Sequence, residues 1–269
     1  MASHKIATVF ISSSDEFNFL RVGINQACIF SEVVSVAIGC RRWNGEPEDV
    51  EGIKTFIASY INNPKVKFVL YDPIDGIVKS EYVKYMTKKE MMPEALARHE
   101  AMKWVPLEGI DYVLFMDSDE VVDGRTFLKW LDTGRYQSMD VMKFACYWYW
   151  RDVRYRAKDY LEDSIVMVKR HLCLPEILFH DFARTFFYSG IDGLKERMIM
   201  SEDKRAMIHH FSWVRTKKQM LKKVTSWGHQ NDFGNLVEKV HEEYSRPFNG
   251  KDFLKGLSYD VLSQPPFDL

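Results

Sequence analysis

Cysteine is scarce and scattered. Cys28, Cys40, Cys146 and Cys173 show no CxxC spacing, which argues against a disulfide framework or a zinc site and for reduced core thiols, as in a cytoplasmic protein. A strong charge of either sign is also missing. Lys and Arg number 37 against 38 Asp and Glu, a net charge of −1, so the basic excess of a nucleic-acid-binding domain is not there and no nucleic-acid partner is expected. No apolar run approaches the roughly 20 residues of a transmembrane helix, and the N-terminus lacks a basic-then-apolar leader, so a soluble intracellular protein is expected. Repeats, low-complexity tracts and clear linkers are absent too. The 269 residues therefore read as one large domain, or one domain with an appendage. Aromatic residues, by contrast, are plentiful at 14%. Rings fill cores and also stack on sugar faces, so the excess fits a carbohydrate site without requiring one.

The chain is organised around residues 111–123, DYVLFMDSDEVVD. The apolar run 112–116 ends abruptly in acids, the pattern of a strand buried on both faces of a parallel sheet. Residues i and i+2 of an extended segment point the same way, so Asp117 and Asp119 emerge together, and Ser118 between them is small enough to let a ligand approach. Ligands of open α/β sheets lie outside the carboxyl ends of the strands. The pair is thus placed to hold a hard cation on a polyphosphate. Asp123 has a plainer reading as N-cap of a helix over 125–131, which does not account for the pair.

FMDSDE resembles the DxD motif of GT-A glycosyltransferases, in which the acids hold a divalent metal and the diphosphate of a nucleotide sugar. DSDEV also fits the DxDx(T/V) motif of haloacid dehalogenase-like phosphatases, with Asp117 as nucleophile and Asp119 as acid/base. That motif normally follows the first strand, whereas two or three strand–helix units precede it here. The resemblance implies an α/β fold of GT-A type, a Rossmann-like, mixed and mostly parallel sheet flanked by helices. It would fill 1–215, with a nucleotide half to about residue 130 and an acceptor half beyond, and 216–269 would be a C-terminal helical extension.

Further strands are expected at 6–11, 33–38, 66–71, 141–150, 164–169, 177–179 and 206–213, and helices from 13, from 47, from 93 and over 216–227. The polar stretch 151–163 should join two strands as a hairpin, and the charged stretch 74–92 should be an irregular loop over the site. The loop containing Ile11 and Ser12 cradles base and ribose in GT-A enzymes; its serines also fit an ordinary helix cap. Family 2 members carry an acid at the end of the second strand, where this chain has Gly39-Cys40-Arg41. Asp72, ending the third strand, is then the candidate partner for the base. ARHEA (97–101) resembles the ARN-A pattern that precedes DxD in family 2, which implies that Arg98 reaches the donor; an i,i+4 pair with Glu94 is the alternative.

Beyond the DSD stretch the run of Tyr147, Trp148, Tyr149 and Trp150 alternates faces. Trp148 and Trp150, with Glu120, are the candidates for acceptor contact, the other rings being core. Val168-Lys169-Arg170 and Phe179-His180-Asp181 loosely match family 2 lipopolysaccharide-core glucosyltransferases. That match implies Asp181 as general base of an inverting transfer, one methylene shorter than the family's glutamate. HHFSW with Lys223, Ser226 and His229 is similar to the C-terminal segment of glycosyltransferase families 2 and 17, which implies that His210 completes a metal shell with Asp117 and Asp119. His209 takes that place if the strand has the opposite phase. Mn²⁺ or Mg²⁺ is implied, and the histidine favours Mn²⁺. The implied partners are a nucleotide-sugar donor, expected to be a UDP-sugar, and a saccharide or glycan acceptor. On the helix over 216–227, Lys217, Lys218, Lys222 and Lys223 lie largely off the apolar stripe of Met220, Leu221, Val224 and Trp227. Such a face is usually solvated, with contact to anionic phosphates, or peripheral membrane contact at a membrane-bound acceptor, as the alternative. A carbohydrate-binding protein that kept the fold without the chemistry is the remaining reading.

Overall fold

The computed structural model describes residues 4–42, 45–226 and 235–268; Trp227 and His229, named above, lie outside them. The first half alternates strand and helix: β1 (Ile6–Ser12), α1 (Phe17–Ala27), β2 (Val33–Gly39), α2 (Val50–Ala58), β3 (Val66–Tyr71), α3 (Pro73–Lys79), α4 (Met92–Met102) and β4 (Tyr112–Asp117). After β4 come β5 (Glu120–Val122), α5 (Gly124–Asp132), β6 (Val141–Trp150), β7 (Asp152–Lys169), α6 (Pro175–Leu178), α7 (Ala183–Gly190), β8 (Lys195–Ile199) and β9 (Ile208–Trp213). The chain closes with α8 (Lys217–Ser226), α9 (Leu236–Glu243) and β10 (Tyr259–Val261).

One sheet runs through the molecule in the order β3-β2-β1-β4-β7-β6-β9-β5. The first four of these strands are mutually parallel, and β7 enters antiparallel between β4 and β6. This is the expected mixed α/β sheet flanked by helices. Alternation along β4 explains why its run is unbroken: Tyr112, Leu114 and Met116 join the core beneath α1, α2 and α5, while Val113 and Phe115 join the one beneath α4 and α7. Phe115 is wholly buried and stacks on Phe187 with centroids 5.3 Å apart. Its burial contributes about 1.5–3 kcal/mol. Asp123 caps α5, accepting from Thr126 N at 3.0 Å.

Four expectations are corrected. Residues 74–92 are not an irregular loop: Asp72 accepts from Ile74 N and Asp75 N, Pro73 occupies the first turn of α3, and 3-10 turns follow at Glu81–Tyr85 and Lys89–Met91. The polar stretch 151–163 is no connection either. The reversal takes a single residue, Arg151 with φ 59°, and β7 then runs 18 residues, its exposed part covered by β10 through the pair Tyr259↔Ala157. Residues 177–179 form no strand, because Pro175 opens the helical turn α6 there. The C-terminal extension is accordingly not wholly helical, since β10 belongs to the main sheet.

Candidate functional site

The carboxyl ends of β1, β2 and β4 open into a cleft of about 390 Å³, closed on its other sides by β7, β9, α7 and α8. Sheet register assembles its floor. Ile11 of β1 lies beside Asp117 of β4, and the two-residue turn after Asp117 starts β5, whose Glu120 pairs with His210 of β9. The DSD segment is therefore held at both ends by strands, with Asp119 N-terminal to the β5–β9 ladder and its carbonyl accepting from Phe211 N at 2.8 Å.

Each acid of the segment is spoken for. Asp117 accepts from Arg98 Nη2 at 3.1 Å and from Arg184 Nη2 at 2.8 Å. Glu120, fully buried, receives Arg184 Nη1 at 2.7 Å and the Asp117 backbone N–H at 2.6 Å. Burial pushes the Glu120 carboxyl above its usual range, against the pull of Arg184. Asp119 Oδ2 receives Arg215 Nη2 at 3.0 Å and Lys223 Nζ at 3.4 Å. Burial would raise this carboxyl, yet Lys223, His210 and Arg215 together hold it well below the usual carboxylate range. Its other oxygen, Oδ1, faces His210 Nε2 at 3.6 Å.

His210 is oriented from behind. Its Nδ1 bonds Glu162 Oε2 of β7 at 2.7 Å, and the Trp148 ring packs perpendicular to it with centroids 5.3 Å apart. Burial would lower the imidazole's pKa, but Glu162 and Asp119 push it up to about 10. Glu162 moves the other way: against burial, His210 and then Lys255 bring it down to about 2. A ring nitrogen fixed by a carboxylate while the other points at an acid is the arrangement in which histidine ligates metals. A separation of 3.6 Å is too long for an N–H···O bond, whereas two ligands of one cation with bonds of about 2.0–2.2 Å span such a gap. Asp119 and His210 are therefore the pair that could hold a divalent cation, which would have to displace the Nε2 proton. Among the described residues no three His, Cys, Asp or Glu side chains are gathered closely enough to hold one by themselves. Phosphate oxygens and water would complete the shell, as is usual for Mg²⁺-type ions.

Of the residues singled out in the sequence, Ile11, Ser12, Asp117, Asp119 and His210 line the cleft, with Glu120 and Arg98 packed directly beneath Asp117. Arg98 also keeps its helical pair, Nη1 to Glu94 Oε1 at 2.6 Å. His209, the opposite phase, turns away to Tyr149 Oη at 2.7 Å, where burial lowers its pKa to about 3. The other candidates do not line the cleft. Trp150 is fully buried, stacked on Trp213 at 5.2 Å with Nε1 donating to Glu243, and Trp148 is 4% exposed; neither offers a face to an acceptor. Asp72 is spent capping α3 and pairing with Arg41 Nε at 3.0 Å. Asp181 follows a helical turn instead of a strand, and its carboxylate receives Thr87 N at 3.2 Å, Lys88 N at 2.9 Å and the Thr87 hydroxyl.

Several lining residues carried no site-directed signal. Arg184, Arg215, Glu16 and Glu162 are single charged residues in unremarkable surroundings until the fold brings them together, whereas Lys222 and Lys223 belong to the basic helix face noted in the sequence. Glu48 is the most instructive. A Cβ at Gly39 would lie 2.7 Å from the Arg41 carbonyl, so the chain turns too tightly at the end of β2 for an acid there. It returns by the Arg41↔Pro47 bridge, and Glu48 enters the cleft, buried against the Ser14 hydroxyl and 3.5 Å from Arg42 Nη2.

No protein-family model and no curated protein sequence matches this chain. Among solved structures, TarS of S. aureus has a TM-score of 0.46 at 12% identity, covering 90% of this chain and 73% of its own. A 4-diphosphocytidyl-2C-methyl-D-erythritol synthase of Anaerococcus prevotii has a TM-score of 0.45 at 13% identity, with 76% and 92% covered. Mouse xyloside xylosyltransferase 1 has 0.39 at 10% identity, with 78% and 97% covered. Likeness of this size says nothing about chemistry.

Proposed function

We propose that the protein is a glycosyltransferase that takes a sugar from a nucleoside-diphosphate donor, held through a divalent cation, and passes it to a saccharide or glycan hydroxyl. The observation that carries this reading is the charge pattern of one cleft. Asp15, Glu16, Glu48, Glu94, Asp117, Asp119 and Glu162 line it against Arg41, Arg42, Arg184, Arg215, Lys222 and Lys223, with His210 among them. The two signs are close to balance, so an incoming diphosphate would be uncompensated alone and compensated when it arrives with a divalent ion. That ion would supply Lewis-acid neutralisation of the leaving diphosphate. Asp119 and His210 would hold it. Arg215, Lys222 and Lys223 reach the same space from the far side and would bind the phosphate oxygens, shedding their present acid partners to do so. Ile11 and Ser12 border the end occupied by Gly39, Tyr71 and Glu48, where the base would lie, and Mn²⁺ is the expected ion.

The phosphatase alternative is weakened by the state of Asp117. A nucleophile needs a free oxygen facing the phosphorus, and both Asp117 oxygens are held by guanidinium groups from opposite sides. The deciding measurement is nucleoside-diphosphate release from a panel of nucleotide sugars with and without Mn²⁺. Release from one donor class that depends on Mn²⁺ and is lost in Asp119→Ala is expected. Rapid aryl-phosphate hydrolysis lost in Asp117→Asn would overturn the proposal.

A further inference from the structure

The C-terminal segment is tied to the site by one side chain. Asp252, buried within a short loop, accepts from the backbone N–H groups of Leu254 at 2.7 Å, Gly256 at 3.2 Å and Leu257 at 3.0 Å, and from Tyr259 Oη at 2.9 Å. Gly256, at φ 70°, lets the chain turn inside that cage. β10 then fastens the loop to β7, the strand that carries Tyr160 and Glu162. What this construction delivers is Lys255. Its Nζ lies 2.7 Å from Tyr160 Oη, 3.3 Å from Glu162 Oε1 and 4.1 Å above the Trp148 ring.

Two of the three groups that Lys255 touches, Glu162 and Trp148, are the ones that orient His210. Glu162 bonds His210 Nδ1 through Oε2, while Lys255 takes Oε1; Trp148 packs perpendicular to the imidazole, while Lys255 sits on the Trp148 face. A carboxylate bonded at only one oxygen can rotate about its last torsion, whereas one held at both cannot. The indole, in contact with both the ammonium and the perpendicular imidazole, is likewise fixed.

We propose that Lys255 is a positioning residue: through Glu162 and Trp148 it fixes the imidazole of His210 so that Nε2 faces Asp119, which makes residues 250–261 part of the site. The proposal rests on the glycosyltransferase reading for the use of His210, but not for its geometry. The experiment therefore reads the ring directly. In full-length protein labelled with ¹⁵N at histidine, Lys255→Met should shift the His210 ring nitrogen signals, whereas Lys255→Arg should restore them. Affinity for Mn²⁺ alone, followed by electron paramagnetic resonance, should fall about 10–100-fold in Lys255→Met, the usual cost of losing a partner behind a metal-binding histidine. A Lys255→Met protein that folds with His210 signals and Mn²⁺ affinity identical to wild type would overturn the proposal. If wild type binds no Mn²⁺ while Lys255→Met still moves the ring, the positioning role stands and the metal-dependent reading falls. Should Lys255→Met not fold, Tyr160→Phe, which removes only the hydroxyl that steadies Nζ, should move the same signals in the same direction; unchanged signals there would equally overturn the role.

Discussion

Asp181 separates two roles that a sequence cannot distinguish. An acid after an apolar run can be a base at a strand end or an anchor for a neighbouring loop, and here three donors of Thr87 and Lys88 converge on it. Burial would raise its pKa, but the Thr87 hydroxyl and the two backbone N–H groups hold it below the usual value. The folded pKa is thus lower than the unfolded one, so its stabilisation is complete above about pH 4 and is lost as pH falls through the folded value. Asp181→Asn should lower the denaturation midpoint at pH 7, with the gap to wild type closing in acid, and should leave kcat within a few-fold. A kcat loss of about 10²–10⁴-fold would instead mark it as the base. Trp150 gives the parallel case for aromatics. Trp150→Phe removes the N–H that satisfies Glu243 and should cost about 1–3 kcal/mol in chemical denaturation, with acceptor KM unchanged. A raised acceptor KM at unchanged stability would restore the sugar-stacking role.

At the scale of elements, periodicity shows which residues share a face and is silent on what faces them. The apolar stripe of α8 is readable from Met220, Leu221 and Val224, but that its lysines meet acids of the cleft depends on the turns before α1 and after β4 being brought alongside. In the fold Lys222 reaches Asp15 and Lys223 reaches Asp119, while Lys218 is exposed. Lys222→Met and Lys223→Met should each weaken nucleoside-diphosphate binding about 10–100-fold by calorimetry, the size of a lost charge-assisted hydrogen bond, and Lys218→Met should not. Equal effects of all three would point to a diffuse basic surface. The same limit explains the misread elements. The run at 177–179 is too short for periodicity to separate strand from helix, so Pro175 decides it. The polar stretch of β7 becomes strand because β10, about a hundred residues later, covers its edge. β1, β2, β4 and β6 were legible because burial on both faces writes itself into a nearly continuous apolar run, and β3, a partly exposed edge strand, was legible from its shorter run of apolar residues.

For the molecule as a whole, the cleft is where distant parts of the chain are fastened together. Asp119 comes from the first half, His210 and Arg215 from β9 and its end, and Lys223 from α8; Arg215 also reaches Glu16, 199 residues away. A ligand that replaces these ion pairs with its own phosphate and metal contacts would touch all of these segments at once, so binding and global stability should be linked. At a concentration of 100 Kd, a ligand specific to the folded state stabilises it by about 2.7 kcal/mol. For a chain of this size that corresponds to about 5–10 °C in Tm. Nucleoside diphosphate with Mn²⁺ should raise the wild-type Tm by such an amount, and neither component alone should reach it. Asp119→Ala should start lower, because the buried Arg215, Lys223 and His210 lose their common counter-charge at a cost of about 3–5 kcal/mol, and should show no ligand-induced rise. The two effects have separate causes. A low starting Tm with the full rise intact would show that Asp119 fastens the fold without holding the ion, and the metal would then have to be sought at Asp117.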